Sequence, residues 1–153
     1  MRLAIGLVAI AGVFTACSGA VGPRDGPLHL SVGVERPTIK MGDSTAVTIT
    51  LRNLSSHPVT FTTGGCVLVP YIAAQTTGQI VYPSGGSWIC TANLIRITLA
   101  SGRTENRRFV VLATAAPVPI GAAALTRGHY LIYATLQSSD FPLRSASAPL
   151  TVE

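Results

Sequence analysis

Charge is what this chain has least of. Only 11% of its 153 residues are Asp, Glu, Lys or Arg, against about a quarter in an ordinary soluble domain. Lys40 is the one lysine, and the other basic residues are arginines. The densest charge, Arg103, Arg107 and Arg108 around Glu105, is too small for the basic stripe or face of a nucleic-acid-binding protein, so no nucleic-acid partner is expected. Aromatics amount to 6%, with a single tryptophan, Trp88. The histidines His29, His57 and His129 lie far apart, and H-E-x-x-H, C-x-x-C and H-x-H are all absent. A metal would need three or four ligands converging from separate loops, and none is expected. G-x-S-x-G is missing as well. Gly85-Gly86-Ser87-Trp88 only imitates it, because no strand-to-helix elbow precedes the serine. The acidic residues Asp25, Glu35, Asp43, Glu105, Asp140 and Glu153 fall mostly in turns or at strand ends, with no pair placed for acid–base work. Neither catalytic residues nor a cofactor is expected.

What is present begins at the first residues. Arg2 precedes an apolar run from Leu3 to Ala16 that ends in Phe14-Thr15-Ala16-Cys17. A basic start, an apolar stretch and small residues at its end describe a secretory signal peptide. The run is shorter than the roughly 20 residues of a bilayer crossing. Thr15-Ala16-Cys17 resembles the lipobox of bacterial lipoproteins, with Phe14 in the place usually held by Leu. The resemblance implies a signal peptide over 1–16, lipid on Cys17 and a membrane anchor. Three acyl chains would hold firmly, since two already suffice for stable anchoring. Ser18 and Gly19 after the cysteine, with no Asp, imply outer-membrane sorting where the source has two membranes. The alternative is cleavage after Ser18-Gly19-Ala20, which would release a soluble exported protein beginning at Val21.

Three cysteines are an odd number for an exported chain. Either processing route removes Cys17 from the count and leaves Cys66 and Cys90, which an oxidising compartment should join as a disulfide. Residues 17–27, ending in Gly22-Pro23-Arg24-Asp25-Gly26-Pro27, read as the lipidated cysteine and a flexible tether.

From residue 28 to 153 the chain falls into short runs of period-two alternation, the mark of strands with one buried face. Leu28, Leu30, Val32 and Val34 form one set, and Val47, Ile49 and Leu51 another. Further runs cover Val59–Thr62, Val67–Ala73, Gln79–Tyr82, Leu94–Leu99, Arg107–Leu112, Tyr130–Gln137 and Ala146–Val152. Turn residues separate them every 8–12 positions. The stretch Ala113–Ala124, broken by Pro117, Pro119 and Gly121, reads as a long loop with room for one helical turn. The expected fold is all-β: one antiparallel β-sandwich of about eight or nine strands. Its inward residues should be Val47, Ile49, Leu51, Ile95, Ile97, Leu99, Tyr130, Ile132, Ala134 and Leu136, although Leu131 and Tyr133 compete for the inner face of their strand. Gly128-His129-Tyr130 at a strand entry fits a tyrosine corner, with Gly128 and Tyr130 as structural residues.

The domain resembles the bacterial intracellular proteinase inhibitor (BsuPI-like) family, an immunoglobulin-like sandwich. The likeness lies in Val47–Ser55 followed by Pro58-Val59-Thr60-Phe61, in Ile97–Thr104, and in Gly128-His129-Tyr130. Ser101 stands where that family commonly has Pro, and its namesakes depend on no disulfide. The resemblance implies the immunoglobulin-like fold and a protein partner, a protease by family precedent. No inhibitory residue carries over.

The candidate binding segment is the loop Ser84-Gly85-Gly86-Ser87-Trp88, beside Cys90. Trp88 either contacts a partner or packs on the disulfide and caps the core. The functional expectation is an envelope-anchored, non-catalytic binding domain. The alternatives are a structural or adhesive module of an envelope assembly and, least favoured, an enzyme.

Overall fold

The computed structural model describes residues 26–153, so the expected signal peptide, Cys17 and most of the tether lie outside the described residues. In chain order the strands are β1 (Leu28–Val34), β2 (Thr38–Ile39), β3 (Ser44–Asn53), β4 (Val59–Ala74), β5 (Ile80–Tyr82), β6 (Ile95–Leu99), β7 (Thr104–Ala113), β8 (Ala122–Leu125), β9 (Gly128–Ser138), β10 (Leu143–Arg144) and β11 (Ala148–Val152). No helix of the described residues is long and apolar enough to cross a membrane.

The strands form an immunoglobulin-like sandwich of two sheets. The first has the order β1-β3-β7-β8. The second runs β2-β11-β9-β4-β5, with β6 also on β4 and β10 also on β9. Alternation explains the core directly, because same-parity side chains share a face of the sheet. Val47, Ile49 and Leu51 of β3 are each no more than 1% exposed, and Tyr130, Ile132, Ala134 and Leu136 of β9 are buried opposite them, with Leu99 of β6. Burying each such large apolar side chain contributes roughly 1.5–3 kcal/mol. Tyr133 is buried too, but on the outer face, stacked on Tyr71 at 5.2 Å and covered by the Arg144 guanidinium 3.8 Å from its ring centre.

Four expectations need correction. Ile95 is 37% exposed rather than inward, because it sits at the start of β6 where the strand meets a loop. The sandwich is not purely antiparallel, since β8 runs parallel to β7 and β2 parallel to β11. The supposed loop 113–124 ends in β8, whose Ala123 and Leu125 join the core. Small alanines carried no visible alternation, yet a parallel edge needs only backbone pairing and one thin buried face. Finally, Val59–Thr62 and Val67–Ala73 are one strand, β4. Pairing with β9 passes from Thr63 opposite Ser138 to Leu68 opposite Leu136. The extra β4 residues form a bulge, and a bulge changes which residues face inward. Val59 and Phe61 are in the core before it, Leu68 and Ile72 after it.

Asn53 joins the two sheets at the end of β3. Wholly buried, its side-chain amide donates to the carbonyls of His57, Leu99 and Ala100 at 2.8, 2.9 and 3.1 Å. Its Oδ1 accepts from the backbone N–H and the hydroxyl of Ser55 at 2.9 and 2.7 Å. The Val47–Ser55 stretch of the family resemblance thus contains a hydrogen-bonding hub rather than a turn residue alone.

At the entry to β9 the Tyr130 hydroxyl donates to the Thr126 carbonyl at 2.9 Å, the bond of a tyrosine corner. Tyr130→Phe should therefore lower unfolding stability by about 1–2 kcal/mol, measured by urea denaturation with an unchanged slope. A change below 0.3 kcal/mol would mean that the hydroxyl does not pin the corner.

A disulfide-pinned loop and a lateral cleft as the candidate functional site

After β5 the chain turns away from the sheet through a cis Tyr82–Pro83 peptide and two left-handed glycines, Gly85 (φ 79°) and Gly86 (φ 78°). Only glycine adopts that conformation without steric cost. Beyond them Cys66 and Cys90 are disulfide-bonded with Cα atoms 5.4 Å apart.

Trp88, half-buried, is the second fixed point of the loop. Its indole N–H donates to the Pro70 carbonyl at 2.9 Å, and its ring meets Tyr82 edge-on at 5.4 Å. Tyr82 in turn stacks on Phe109 of β7 at 6.2 Å, which ties the loop to both sheets. Burial pushes the Tyr82 phenol above its usual range, and the nearby Arg107 charge pulls partly the other way. Trp88 is thus an anchor of the loop, while Ser84, Gly85 and Ser87 are exposed.

Between these two fixed points stands the residue that sequence reasoning passed over. Ile89 is 100% exposed, and Leu94 farther along is 80% exposed. A β-branched side chain has few rotamers to lose on binding, and the residues on either side of Ile89 are held, Trp88 by Pro70 and Cys90 by Cys66. Its neighbours gave the available signal: an apolar residue directly between the only Trp and a bonded Cys.

A cleft of about 390 Å³ lies between the sheets, with Gly65 among its lining residues. Leu51, Phe61, Leu68 and Leu99 form its depth, Val67 and Ile97 its walls, and Glu105, Asn106 and Arg107 of β7 its mouth. Arg107 reaches across the gap and donates to the Leu68 carbonyl at 2.7 Å. Gly65 lies where loop and cleft meet. Its N–H donates to the Thr91 carbonyl at 3.1 Å, and a Cβ there would come within 1.9 Å of Thr91 Oγ1. Any larger residue at 65 would push the loop away from the sheet.

The other candidate groups remain apart. His29 and His57 are exposed on separate elements, and His129 Nδ1 lies 3.2 Å from Thr151 Oγ1. Glu35 pairs with Arg108 at 3.0 Å on the surface, while Asp140 accepts from the Thr62 N–H at 2.7 Å. Among the described residues no three His, Cys, Asp or Glu side chains gather into a possible metal site.

No family model matches the chain, and no curated protein matches it. Among solved structures it is similar to the CARDB domain of a Pyrococcus furiosus protein in complex with di-metal ions, at 12% identity over 82% of this chain and 87% of that one, with a TM-score of 0.49. The C-terminal domain of Wzt matches at 16% identity over 84% of this chain and 74% of that one, with a TM-score of 0.48. The alkylpurine DNA glycosylase AlkC of Pseudomonas fluorescens matches at 13% identity over 83% of this chain, with a TM-score of 0.47. This chain spans 30% of AlkC. No residue role or activity is transferred from these proteins.

Proposed function

We propose that this protein is an envelope lipoprotein, anchored through Cys17, whose immunoglobulin-like domain binds a protein partner without catalysis. The observation that carries the binding reading is Ile89, fully exposed between the Trp88 anchor and the Cys66–Cys90 bond. Such an apolar projection suits insertion into a pocket of another protein, where burying the isoleucine side chain would contribute roughly 1.5–3 kcal/mol. The apolar run ending in Phe14-Thr15-Ala16-Cys17 supports the anchor. The disulfide supports an oxidising compartment. The resemblance to the proteinase inhibitor family makes an envelope protease the first partner to test.

The test compares full-length protein purified from membranes, as wild type and as Ile89→Asp. Intact mass should show a product beginning at Cys17 and carrying acyl groups; a product beginning at Val21 without them would sink the anchor. Wild type should retain a partner and slow an envelope protease. The Ile89→Asp variant should weaken both at least thirtyfold, the range of an interface hot spot. Equal retention and inhibition by the two proteins would refute the loop as the contact. A structural role in an envelope assembly is the second reading, favoured by β7, whose residues Thr104–Phe109 pair with β3 on one side and with no other strand among the described residues.

A further inference from the structure

Strand β7 is paired along its whole length on one side only. Its residues Thr104–Leu112 pair with β3, whereas β8 covers the other side only from Val110 to Ala113. Among the described residues no strand pairs with the outer edge from Thr104 to Phe109. A bare edge of that kind is a template for another strand.

The side chains on this edge determine what can add. Glu105 and Arg107 have the same parity as the buried Phe109, Val111 and Ala113, so they point to the inter-sheet side, at the mouth of the cleft. Charges there ordinarily repel an incoming strand. These two differ in sign and stand two residues apart, on either side of Asn106. In an antiparallel pair centred on Asn106, Glu105 of each copy faces Arg107 of the other, at two symmetric places. Directly opposed residues of opposite charge stabilise an antiparallel pair, and like charges oppose it. A parallel pair in register would set Glu105 against Glu105 and Arg107 against Arg107. Within one copy neither residue has a salt-bridge partner among the described residues, where the recorded pair is Arg108–Glu35. Arg107 uses one donor on the Leu68 carbonyl and keeps others, since a guanidinium has five.

The lengths also agree. With Asn106 on the two-fold axis, Phe109 falls opposite Arg103, and Val110, where β8 begins, falls opposite Gly102. Gly102 is a left-handed turn residue (φ 67°), where the second copy's strand has already turned away. The free edge is therefore as long as the segment that would fill it.

We propose that two copies of this chain associate through the β7 edges, antiparallel about Asn106, joining their two four-stranded sheets into one. The interface is isologous, as closed two-fold dimers require. An edge contact of this size belongs to the small, transient class, so confinement of both copies to one surface would raise its occupancy. The register itself depends on neither lipidation nor the Ile89 partner.

The test is oxidative cross-linking of the full-length protein in whole producing cells, read on non-reducing gels, with the unaltered chain as baseline. Asn106→Cys places two thiols directly opposite, with Cβ atoms about 5 Å apart. Thr104→Cys places its two thiols four residues out of register, about 13 Å apart at about 3.3 Å per residue. Asn106→Cys should form dimer at least tenfold faster than Thr104→Cys. Adding Glu105→Arg to Asn106→Cys should slow it about tenfold, and adding Arg107→Glu as well should restore it. Glu105→Arg leaves the Arg107–Leu68 bond in place, so its effect is read on an intact fold, checked by resistance of Cys66 and Cys90 to alkylation. Equal cross-linking at 106 and 104 would overturn the proposal, and so would indifference to Glu105→Arg. In a folded double variant, failure to restore dimer would do the same.

Discussion

Replacing Asn53 by alanine should lower unfolding stability by about 3–5 kcal/mol, a large part of the 5–15 kcal/mol typical of a domain. The reason is what the alanine leaves behind. The buried Leu99 carbonyl and the N–H of Ser55 lose the amide as partner, and a cavity opens where it stood, while the Ala100 and His57 carbonyls keep the Arg103 N–H and the Ser55 hydroxyl. Each buried polar group without a partner costs roughly 1–3 kcal/mol, and water can reach those that are only partly buried. The two halves of the amide can be separated by Asn53→Asp. A carboxylate keeps the acceptor for Ser55 but turns an oxygen toward carbonyl oxygens where the amide donated. At neutral pH Asn53→Asp should therefore be less stable than Asn53→Ala, as measured by urea denaturation. An aspartate variant as stable as wild type would show that the donor side of the hub contributes nothing.

Loss of the Cys66–Cys90 bond is the second large effect. The bond closes a sequence separation of 24 residues, which on the chain-entropy model stabilises the fold by about 3.5 kcal/mol, within a general range of 2–5 kcal/mol for native bonds. Cys66→Ala should lower the melting temperature by roughly 10 °C, given the few degrees per kcal/mol of a domain this size. It should also free one end of the segment that carries Ile89, so cleavage by added protease should begin between Trp88 and Leu94 before the sandwich unfolds. In the unaltered protein Cys66 and Cys90 should resist alkylation until a reductant is added. A melting temperature unchanged by Cys66→Ala would mean that the loop is held by Trp88 and Gly65 alone.

The two effects differ in how far local pattern reveals them. The disulfide was expected from counting cysteines once the first residues are read as an export signal. Asn53 was visible as a residue of the Val47–Ser55 motif, but its partners Leu99 and Ala100 lie more than forty residues away, on the other sheet. Nothing in the local sequence links them.

Ile89 and the β7 edge illustrate the same boundary. A lone apolar residue in a Gly/Ser loop reads equally as core or surface. It becomes a candidate contact only because Trp88 turns to Pro70 while Cys90 turns to Cys66. From sequence, the cluster Arg103, Glu105, Arg107 and Arg108 is only a local concentration of charge too small for a nucleic-acid site. Pairing with β3 aligns Glu105 and Arg107 with the inward parity of β7, and β8 stops short of them.

What the sequence determined by itself is the all-β class, the inner faces of β1 and β3, the tyrosine corner and the cysteine pair. These rest on spacing within a few residues, on turn chemistry or on counting, and such properties survive without knowledge of neighbours. Only the tertiary structure decided the continuity of β4 through its bulge, the parallel edges at β8 and β2, the reach of Asn53 and the exposure of Ile89. Each depends on which strand lies alongside. A bulge reverses parity, a parallel edge needs a partner rather than a pattern, and a buried amide is defined by carbonyls that distant segments bring to it.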